Sequence, residues 1–426
     1  MLKKVTRIKN GLKGEITIPA DKSISHRAIM FSSIAKGNNI IKNFSSGLDC
    51  HSTLNIFKQL GVDIKFVDEK TLSVKSNGIL KYSNEPLDAG NSGTTTRLIT
   101  GILAGQNFDS KIIGDSSLSK RPMKRIIEPL TLMGAKIDSI DGHAPLTIHG
   151  CELTGISYNS KLSSAQVKSC VLLAGLNAIG KTVYSEPFLS RNHTELLLKY
   201  MGANIEVNGN TTTVEKSELI ARDITIVGDI SSAAFFIVAG LIIPNSNFLI
   251  RNVGINNTRT GIIDIVKRMG GNIELINETT VSGELVCDIR VVYTDNLKAI
   301  TIEGEDIPRL IDELPVIAVL ASQASGKTFV KNAEDLRNKE SDRIKCLVNE
   351  LNKIGVKITE TSDGFTVEGK CSIKGNAKLE SYHDHRLAMS FYIAGLISKD
   401  EIAINGFEWT SISFPEFESL ISNLIH

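Results

Sequence analysis

Basic side chains next to apolar stretches are the residues whose types and spacing best suit chemistry in this sequence. In PADKSISHRA (19–28), Lys22 and Arg27 flank the hydroxyl of Ser23, and both cations could reach one oxyanion if the chain turns tightly. In LDAGNSGTTTR (87–97), glycines allow a sharp turn, and hydroxyl and amide side chains can cap the apolar helix expected to follow. Such a turn presents unpaired N–H groups and the positive end of the helix dipole, and Arg97 adds a full charge. Both stretches favour binding of a small anion.

Similar polar loops recur ahead of other apolar stretches. In DSSLSKRPM, Pro122 restrains the backbone, which predicts that Arg121 lies in an extended loop. The further loops are SSAQVKS (163–169), RNHTE (191–195), LIDELP (310–315), RNKESDR (337–343) and YHDHR (382–386). Seven cations from these stretches are counted for a shared anion-binding cleft: Lys22, Arg27, Arg121, Arg191, Lys339, Arg343 and Arg386.

Each loop by itself could be an ordinary capped helix start on the surface, so their joint placement carries the prediction. If the helices of each domain run in parallel, their N-termini gather on one face, and two such faces could close on a ligand. A phosphate brings about two negative charges and a carboxylate about one, so seven cations suit two substrates that each carry both groups.

Two alternating sequence phrases predict the elements that position these loops. The first is a helix, a glycine and a strand, as in LGVDI (60–64), MGAKI (133–137), MGANI (201–205), MGGNI (269–273) and IGVKI (354–358), and most copies precede a second short strand. Glycine after the last helical residue is a common helix stop, so each copy predicts a helix end and a hairpin. The second phrase is a strand after an apolar helix. Together they predict about six α/β units of roughly 65 to 85 residues, in two domains of three, with the apolar helices buried.

Composition limits the remaining function classes. The chain has 426 residues and 48 Lys plus Arg against 47 Asp plus Glu, so there is no global field for nucleic acid or an acidic membrane. No apolar run approaches the roughly 18 residues of a membrane span, and no signal-peptide core is visible, which predicts a cytoplasmic protein. Six cysteines lie scattered without metal-ligand spacing, which predicts reduced thiols and no metal site.

GLNAIGKT (175–182) matches the P-loop pattern letter for letter. A phosphate-cradling P-loop must leave a strand and open a helix, whereas here a predicted helix precedes the motif and a predicted strand follows it. The sequence therefore argues against a P-loop NTPase and suggests that Gly180 is a helix stop.

Seven of these motifs resemble those of the 5-enolpyruvylshikimate-3-phosphate synthase (3-phosphoshikimate 1-carboxyvinyltransferase) family: PADKSISHR, LDAGNSGTTTR, KRPM, SAQVKS, LIDELP, RNKESDR and YHDHR. The match runs in register from about Lys3 to the C-terminus. The resemblance implies an α/β fold of the inside-out barrel type, with three βαβαββ repeats in each of two domains and helices buried inside each. It places residues 21–226 in one domain and residues 1–20 with 227–426 in the other, with a hinge near 19–21 and 227–229.

The resemblance also implies a reaction and its residues. The enolpyruvyl group of phosphoenolpyruvate would move to the 5-hydroxyl of 3-phosphoshikimate through a tetrahedral intermediate, with release of phosphate and without a cofactor or metal. Asp312 would be the base, and Glu340 and Lys22 the acid pair. The implied ligands of 3-phosphoshikimate are Lys22, Ser23, Arg27, Ser164, Ala165, Gln166, Arg191, Asp312 and Lys339. Those of phosphoenolpyruvate are Lys22, Asn91, Gly93, Arg121, Gln166, Arg343 and Arg386.

The chain departs from part of that family at three places. Ala165 follows Ser164 where some members have a serine pair, Arg191 stands where others have a phosphate-binding serine, and Ile412 where some have a lysine. All three differences resemble the subgroup of the family whose motifs read SAQVKS and RxHTE. They affect which side chains bind the substrates and do not cast doubt on the reaction. That subgroup often has alanine at Gly93, and glycine should leave room for the inhibitor glyphosate.

Two other functions are weighed against this one. The sister enolpyruvyl transferase that acts on UDP-N-acetylglucosamine is expected to have a cysteine in the loop before the RP motif, and GDSSLSKRP has none. A non-catalytic anion-binding protein would have little use for Asp312 and Glu340, because carboxylates weaken polyanion binding unless they transfer protons. The resemblance further implies a monomer, and the balanced charge predicts that it binds neither nucleic acid nor membrane.

Overall fold

The computed structural model describes residues 1–425, and its contacts divide them into two compact units. We call one the inserted unit, formed by Ala20–Ile226 and the short turn Val281–Glu284. We call the other the terminal unit, formed by Met1–Pro19, Val227–Thr280 and the chain from Leu285 onward.

The inserted unit contains six α-helices: Lys22–Ile34, Leu48–Gln59, Gly93–Ala104, Lys124–Leu132, Ala165–Gly175 and His193–Tyr200. Its strands are Ala35–Lys42, Asp63–Asp68, Thr71–Asn77, Leu87–Asp88, Ser110–Ile113, Lys136–Ile140, His143–His149, Ser157–Asn159, Lys181–Ser185, Ile205–Asn208, Thr211–Glu215, Leu219–Ile220 and Ile224–Thr225. A short 3-10 helix covers Leu118–Lys120.

The terminal unit contains the α-helices Ile230–Ile242, Gly261–Arg268, Asp306–Leu310, Leu314–Gln323, Arg343–Lys353, His385–Gly395 and Phe417–Asn423. Its strands are Leu2–Val5, Lys13–Thr17, Asn247–Gly254, Asn272–Val281, Glu284–Val292, Thr301–Ile302, Lys327–Val330, Lys357–Thr361, Gly364–Glu368, Ala377–Glu380 and Ile402–Asn405. Two 3-10 helices cover Glu334–Asn338 and Phe407–Ile412.

Six sheets repeat one pattern, three in each unit. In five of them the strand after a buried helix pairs in parallel with one neighbour and antiparallel with the second strand of a hairpin, as Ser110–Ile113 does between Leu87–Asp88 and His143–His149. In the sixth, Ile402–Asn405 pairs with Ala377–Glu380, and Leu2–Val5 takes the place of the hairpin strand. The predicted six units and their hairpins are confirmed.

The glycine of the first phrase ends a helix in each of its five copies. Each has a positive φ, a conformation that costs glycine little and a side-chain-bearing residue much more. The five are Gly61 at 88°, Gly134 at 102°, Gly202 at 92°, Gly270 at 80° and Gly355 at 85°. The chain therefore reverses at the same place in each repeat and begins the hairpin there.

Two kinds of helix alternate along the chain. Helices such as Gly93–Ala104 and Ile230–Ile242 are buried on almost every side, whereas Lys124–Leu132 and Gly261–Arg268 bury one face. A helix that is apolar all round must be surrounded by protein, so the first kind forms the interior of each unit. The prediction of buried helices is confirmed, including Leu314–Gln323, which starts two residues after Asp312.

The structure also tests three local expectations and corrects two of them. Lys22 and Arg27 lie within a helix instead of in a loop ahead of one. Helix Ala165–Gly175 precedes the P-loop look-alike and strand Lys181–Ser185 follows it, so rejecting the P-loop was right. Gly180 is not the helix stop, because the helix has already ended at Gly175, and its φ of 85° belongs to the turn before the strand.

Among residues 1–425, every helix is too short or too polar to cross a membrane.

His149 provides a test of the fold on the surface of the inserted unit. Its Nδ1 lies 2.9 Å from Asp109 and its Nε2 2.9 Å from Asp138, and hydrogen bonds to Asp138 and Asp109 raise the pKa of His149. A raised histidine pKa contributes stability that is complete below the unfolded-state pKa and is lost as pH rises through the folded-state pKa. We expect the melting temperature of the wild type to exceed that of His149→Asn by more at about pH 5.5 than at about pH 8.5, as measured by calorimetry. A difference that stays constant or grows with pH would contradict the ion pairs.

Candidate active site

Lys22 is the first residue of the helix Lys22–Ile34, where Asp21 acts as the N-cap by accepting a hydrogen bond from Ile24 N at 2.9 Å. The Lys22 ammonium donates to Asp49 Oδ2 at 3.0 Å, and the lysine side chain is about one-fifth exposed. A partly exposed ammonium at a helix start, held by one carboxylate, can meet an incoming anion and can also donate a proton.

Arg27 lies one turn further along the same helix and is 2 % exposed. Its Nε donates to Thr194 Oγ1 at 2.7 Å, one Nη to the Ser23 carbonyl at 2.9 Å and the other to Ser169 Oγ at 2.8 Å. Burial lowers the pKa of Arg27 to about 10, which keeps it charged at neutral pH. Burial, together with the charges of Lys22 and Arg27, also lowers the pKa of neighbouring His26 well below its ordinary value, so that histidine is neutral.

A second group of polar side chains surrounds the start of helix Gly93–Ala104. Arg121 donates to Asn91 Oδ1 at 2.7 Å, and its backbone has the extended conformation expected before proline. Arg97 donates to Gln166 Oε1, and Gln166 in turn donates to Thr94 Oγ1 at 3.0 Å.

Gly93 leaves space at the centre of this second group. A Cβ atom added there would lie 3.1 Å from one Nη of Arg97 and 3.4 Å from one of Arg121. The two arginines can approach the helix start this closely because residue 93 has no side chain. The group is suited to an anion with more than one oxygen.

Hydrogen bonds link the starts of the three buried helices of the inserted unit. Arg27 reaches Ser169 on helix Ala165–Gly175, and Arg97 reaches Gln166 on the same helix. Ser164 caps that helix, with its Oγ 3.5 Å from Val167 N. Three of the residues expected to bind 3-phosphoshikimate thus lie at the start of one buried helix, with Ser164 as its N-cap, Ala165 as its first residue and Gln166 as its second. Arg191 lies just before the helix His193–Tyr200.

The terminal unit holds its own charged group around Asp312. Asp312 is 9 % exposed, and its Oδ1 lies 3.4 Å from Lys339 Nζ and 3.3 Å from an Nη of Arg343. The Arg386 guanidinium donates to the Asp312 carbonyl at 3.3 Å, so it approaches the same residue from another helix. A carboxylate fixed by cations on either side can take a proton, and the cations can hold a substrate anion beside it.

Arg343 is almost fully buried and joins three carboxylates. It donates from Nε to Asp384 Oδ2 at 2.7 Å, and from its Nη atoms to Asp312 and Glu340. Burial by itself would lower the pKa of Arg343, but the charges of Asp384, Glu340 and Asp312 raise it above the ordinary value. Arg343 is therefore a permanent cation that orients both proposed proton-transfer groups of this unit.

The expected residues fall into two sets, one in each unit. The inserted unit holds Lys22, Ser23, Arg27, Asn91, Gly93, Arg121, Ser164, Ala165, Gln166 and Arg191, and the terminal unit holds Asp312, Lys339, Glu340, Arg343 and Arg386.

Sequence reasoning missed three partners of these residues. Asp49 pairs with Lys22, Asp384 holds Arg343, and Arg97, whose charge was noted but not assigned to a ligand, contacts Gln166. Arg97 was recognisable from its position one turn inside a glycine-rich helix start. No local sequence pattern distinguishes Asp49 and Asp384 from the carboxylates that commonly occur at helix N-termini. Among residues 1–425, no three His, Cys, Asp or Glu side chains are grouped so that they could hold a metal ion.

The fold identifies a class of enzyme. The enolpyruvyl transferase NikO from Streptomyces tendae has a TM-score of 0.82 with this chain at 18% identity, covering 99% of this chain and 97% of that one, and so shares its fold. EPSP synthase from Acinetobacter baumannii has a TM-score of 0.89 at 40% identity, covering 99% and 98%. The architecture is that of the enolpyruvyl transferases.

Sequence comparison gives the family within that class. Residues 6–421 match the family EPSP synthase (3-phosphoshikimate 1-carboxyvinyltransferase). A 3-phosphoshikimate 1-carboxyvinyltransferase from a Thermoanaerobacter species is 52% identical over 412 residues, covering 96% of this chain and 97% of the relative. One from Thermodesulfovibrio yellowstonii is 51% identical over 419 residues, covering 97% of each. The chain belongs to the EPSP synthase family, which confirms the resemblance seen in its motifs.

Proposed function

We propose that this protein transfers the enolpyruvyl group of phosphoenolpyruvate to the 5-hydroxyl of 3-phosphoshikimate and releases phosphate, as a 3-phosphoshikimate 1-carboxyvinyltransferase. The observation that carries the proposal is the Asp312 carboxylate held by Lys339 and Arg343, with Arg386 at its carbonyl. This arrangement supports a base next to cations, which the addition of an alcohol to an enol phosphate requires.

The proton movements follow from the roles of three side chains. Asp312 takes the proton of the 5-hydroxyl while that oxygen bonds to C2 of phosphoenolpyruvate, and Glu340 or Lys22 gives a proton to the methylene carbon. The resulting tetrahedral intermediate then returns a proton from that carbon to the group that supplied it and expels phosphate, which restores the double bond. The contacts of Glu340 with Arg343 and of Lys22 with Asp49 support orientation of both groups.

Substrate recognition is divided between two sets of ligands. For 3-phosphoshikimate we propose Lys22, Ser23, Arg27, Ser164, Ala165, Gln166, Arg191, Asp312 and Lys339. For phosphoenolpyruvate we propose Lys22, Asn91, Gly93, Arg121, Gln166, Arg343 and Arg386. The cations in each set suit a substrate that carries both a phosphate and a carboxylate.

The two compact units are proposed to be the functional domains, with the hinge near residues 19–21 and 227–229. We further propose a cytoplasmic monomer, independent of cofactor, nucleic acid and membrane. The six cysteines support the reducing compartment, because none pairs with another and four are buried.

Phosphate release is the direct test of the reaction. The protein is incubated with phosphoenolpyruvate and 3-phosphoshikimate, and inorganic phosphate is measured against incubations that lack one substrate or contain UDP-N-acetylglucosamine instead. Release that requires both proposed substrates supports the proposal. Release with UDP-N-acetylglucosamine would favour the sister transferase, and no release with either acceptor would favour an anion-binding protein.

Glyphosate should inhibit the wild type, and Gly93→Ala should weaken that inhibition. The added methyl group would crowd Arg97 and Arg121, and such overpacking costs about 1–3 kcal/mol, which corresponds to roughly a fivefold to hundredfold weaker inhibition. Half-inhibitory glyphosate concentrations of the two proteins provide the measurement. Gly105→Ala is a suitable control, because Gly105 has an ordinary φ of -91° and the added carbon would be crowded to a similar extent, 3.1 Å from Asn177 Cβ. Unchanged wild-type activity in millimolar glyphosate would contradict the expectation.

A further inference from the structure

An unusual turn precedes the helix that carries Arg386. Tyr382 has a φ of 53° and His383 a φ of 60°, so two consecutive residues with side chains are in the left-handed region. This conformation is unfavourable for residues other than glycine, and it persists where surrounding contacts impose it. The turn leads directly into Asp384 and the helix His385–Gly395.

A buried carboxylate holds the first residue of the turn. The Tyr382 hydroxyl donates to Glu350 Oε1 at 2.7 Å, and Glu350 Oε2 accepts from Glu380 N at 3.0 Å. Glu350 is fully buried and also pairs with Lys353 at 2.7 Å, so its carboxylate is fixed on helix Arg343–Lys353. Tyr382 is thereby tied to the helix that begins with Arg343.

An aromatic stack holds the second residue. The rings of His383 and Trp409 lie 4.6 Å apart between centroids, with an interplanar angle of 26°. Trp409 lies in the 3-10 helix Phe407–Ile412, which follows Gly406. Gly406 fits against the start of the turn, since a Cβ added there would lie 2.3 Å from Ser381 Oγ.

The residue after the turn connects it to the proposed site. Asp384 is fully buried, accepts from Arg343 Nε at 2.7 Å and from Ser341 Oγ at 3.1 Å, and caps its helix by accepting from Arg386 N at 2.9 Å. A change in φ at His383 would swing the Asp384 carboxylate away from these partners. The conformation of the turn therefore sets the positions of two cations assigned to phosphoenolpyruvate.

We propose that Trp409 and Glu350 are positioning residues for phosphoenolpyruvate binding. They hold the Tyr382–His383 turn in its left-handed conformation. The turn fixes the Asp384 carboxylate where it orients Arg343 and Arg386 for binding of phosphoenolpyruvate. Neither positioning residue touches the substrate. The inference rests on the proposed function, because it assigns these arginines to phosphoenolpyruvate.

The first experiment compares kinetic constants of Trp409→Ala with those of the wild type. The KM for phosphoenolpyruvate should rise about fivefold to tenfold, while the KM for 3-phosphoshikimate changes less than about twofold. Trp409→Phe, which keeps a ring for the stack, should stay within about twofold for both substrates. Phe329→Ala removes a partly exposed aromatic side chain from strand Lys327–Val330 of the same unit and should leave both constants unchanged.

The second experiment asks whether the stack acts through backbone conformation. Glycine adopts the left-handed region without cost, so Trp409→Ala should raise the KM for phosphoenolpyruvate by less than about twofold in a His383→Gly background. A general packing role for Trp409 would give the same effect in both backgrounds. Tyr382→Phe, which removes one hydroxyl, provides a milder variant and should raise the same KM about threefold to fivefold.

The outcomes separate this inference from the proposed function. Absence of phosphate release by the wild type with both substrates would reject the function and the inference together. An active wild type whose Trp409→Ala and Tyr382→Phe variants keep the KM for phosphoenolpyruvate, or raise both KM values equally, would reject the inference and leave the function standing.

Discussion

Asp312→Asn should reduce kcat by about a hundredfold to ten-thousandfold, the usual contribution of a general base. Asparagine keeps the size and a hydrogen-bond acceptor for Lys339 and Arg343, but it cannot take the proton of the substrate hydroxyl. Binding of phosphoenolpyruvate should not weaken, because one negative charge is removed from beside the cations. Single-turnover phosphate release gives the chemical step, and calorimetric titration with each substrate gives the dissociation constants.

Asp264→Asn is the matched control for Asp312. Asp264 also pairs with an arginine, lying 2.6 Å from Arg309, but it lies on helix Gly261–Arg268 and its side chain is 43% exposed. Its replacement should leave kcat within about twofold. If Asp312→Asn lost turnover and substrate affinity by equal factors, Asp312 would be a binding residue and its assignment as base would be wrong.

Lys168→Met should lower the free energy of unfolding of the inserted unit by about 3–5 kcal/mol. Lys168 is 1 % exposed, and its ammonium lies 2.9 Å from Glu186 Oε1 and 2.8 Å from Glu195 Oε1, the latter outside hydrogen-bond geometry. It also donates to the Ser190 carbonyl at 3.0 Å. Without the ammonium, two buried carboxylates would face each other, and such uncompensated charge is costly. Differential scanning calorimetry measures the change.

Two further variants identify the cause of that loss. Lys331→Met removes an ion pair of similar length, 2.9 Å to Glu303, whose side chains are about half exposed, and should cost at most about 1 kcal/mol. Adding Glu186→Gln to Lys168→Met removes one of the facing charges and should restore part of the lost stability. A Lys168→Met protein as stable as Lys331→Met would show that burial of these charges contributes little.

The repeat architecture was predictable from the sequence because it depends on short-range rules. Glycine at a helix end has a local cause, as the positive φ of Gly134 and Gly355 shows, and a helix as apolar as Ile230–Ile242 has to be buried. The exact residue at which a helix starts was harder to predict. Lys22 and Arg27 read as a polar loop, but they form the first turns of a helix because Asp21 caps it and tertiary packing buries Arg27.

The residue types of the candidate site could be predicted from the sequence, but the partners that each side chain contacts could not. Cations ahead of apolar helices could be read directly, and family motifs assigned their roles. The partner of each cation depends on chain segments far apart in sequence, such as Arg343 with Asp384 or Arg27 with Ser169. No local pattern encodes such pairings, because they arise when buried helices pack with their N-termini together.

The pairing of Leu2–Val5 with Ile402–Asn405 has a consequence for synthesis of the protein. At about 5–20 residues per second, the ribosome makes the partner strand some 20–80 s after the first one, so the opening segment stays unpaired for most of translation. All three sheets of the inserted unit have their strands by residue 225. The segment Leu2–Val5 is therefore the part of the terminal unit that chaperones and proteases can reach for longest before its sheet is complete.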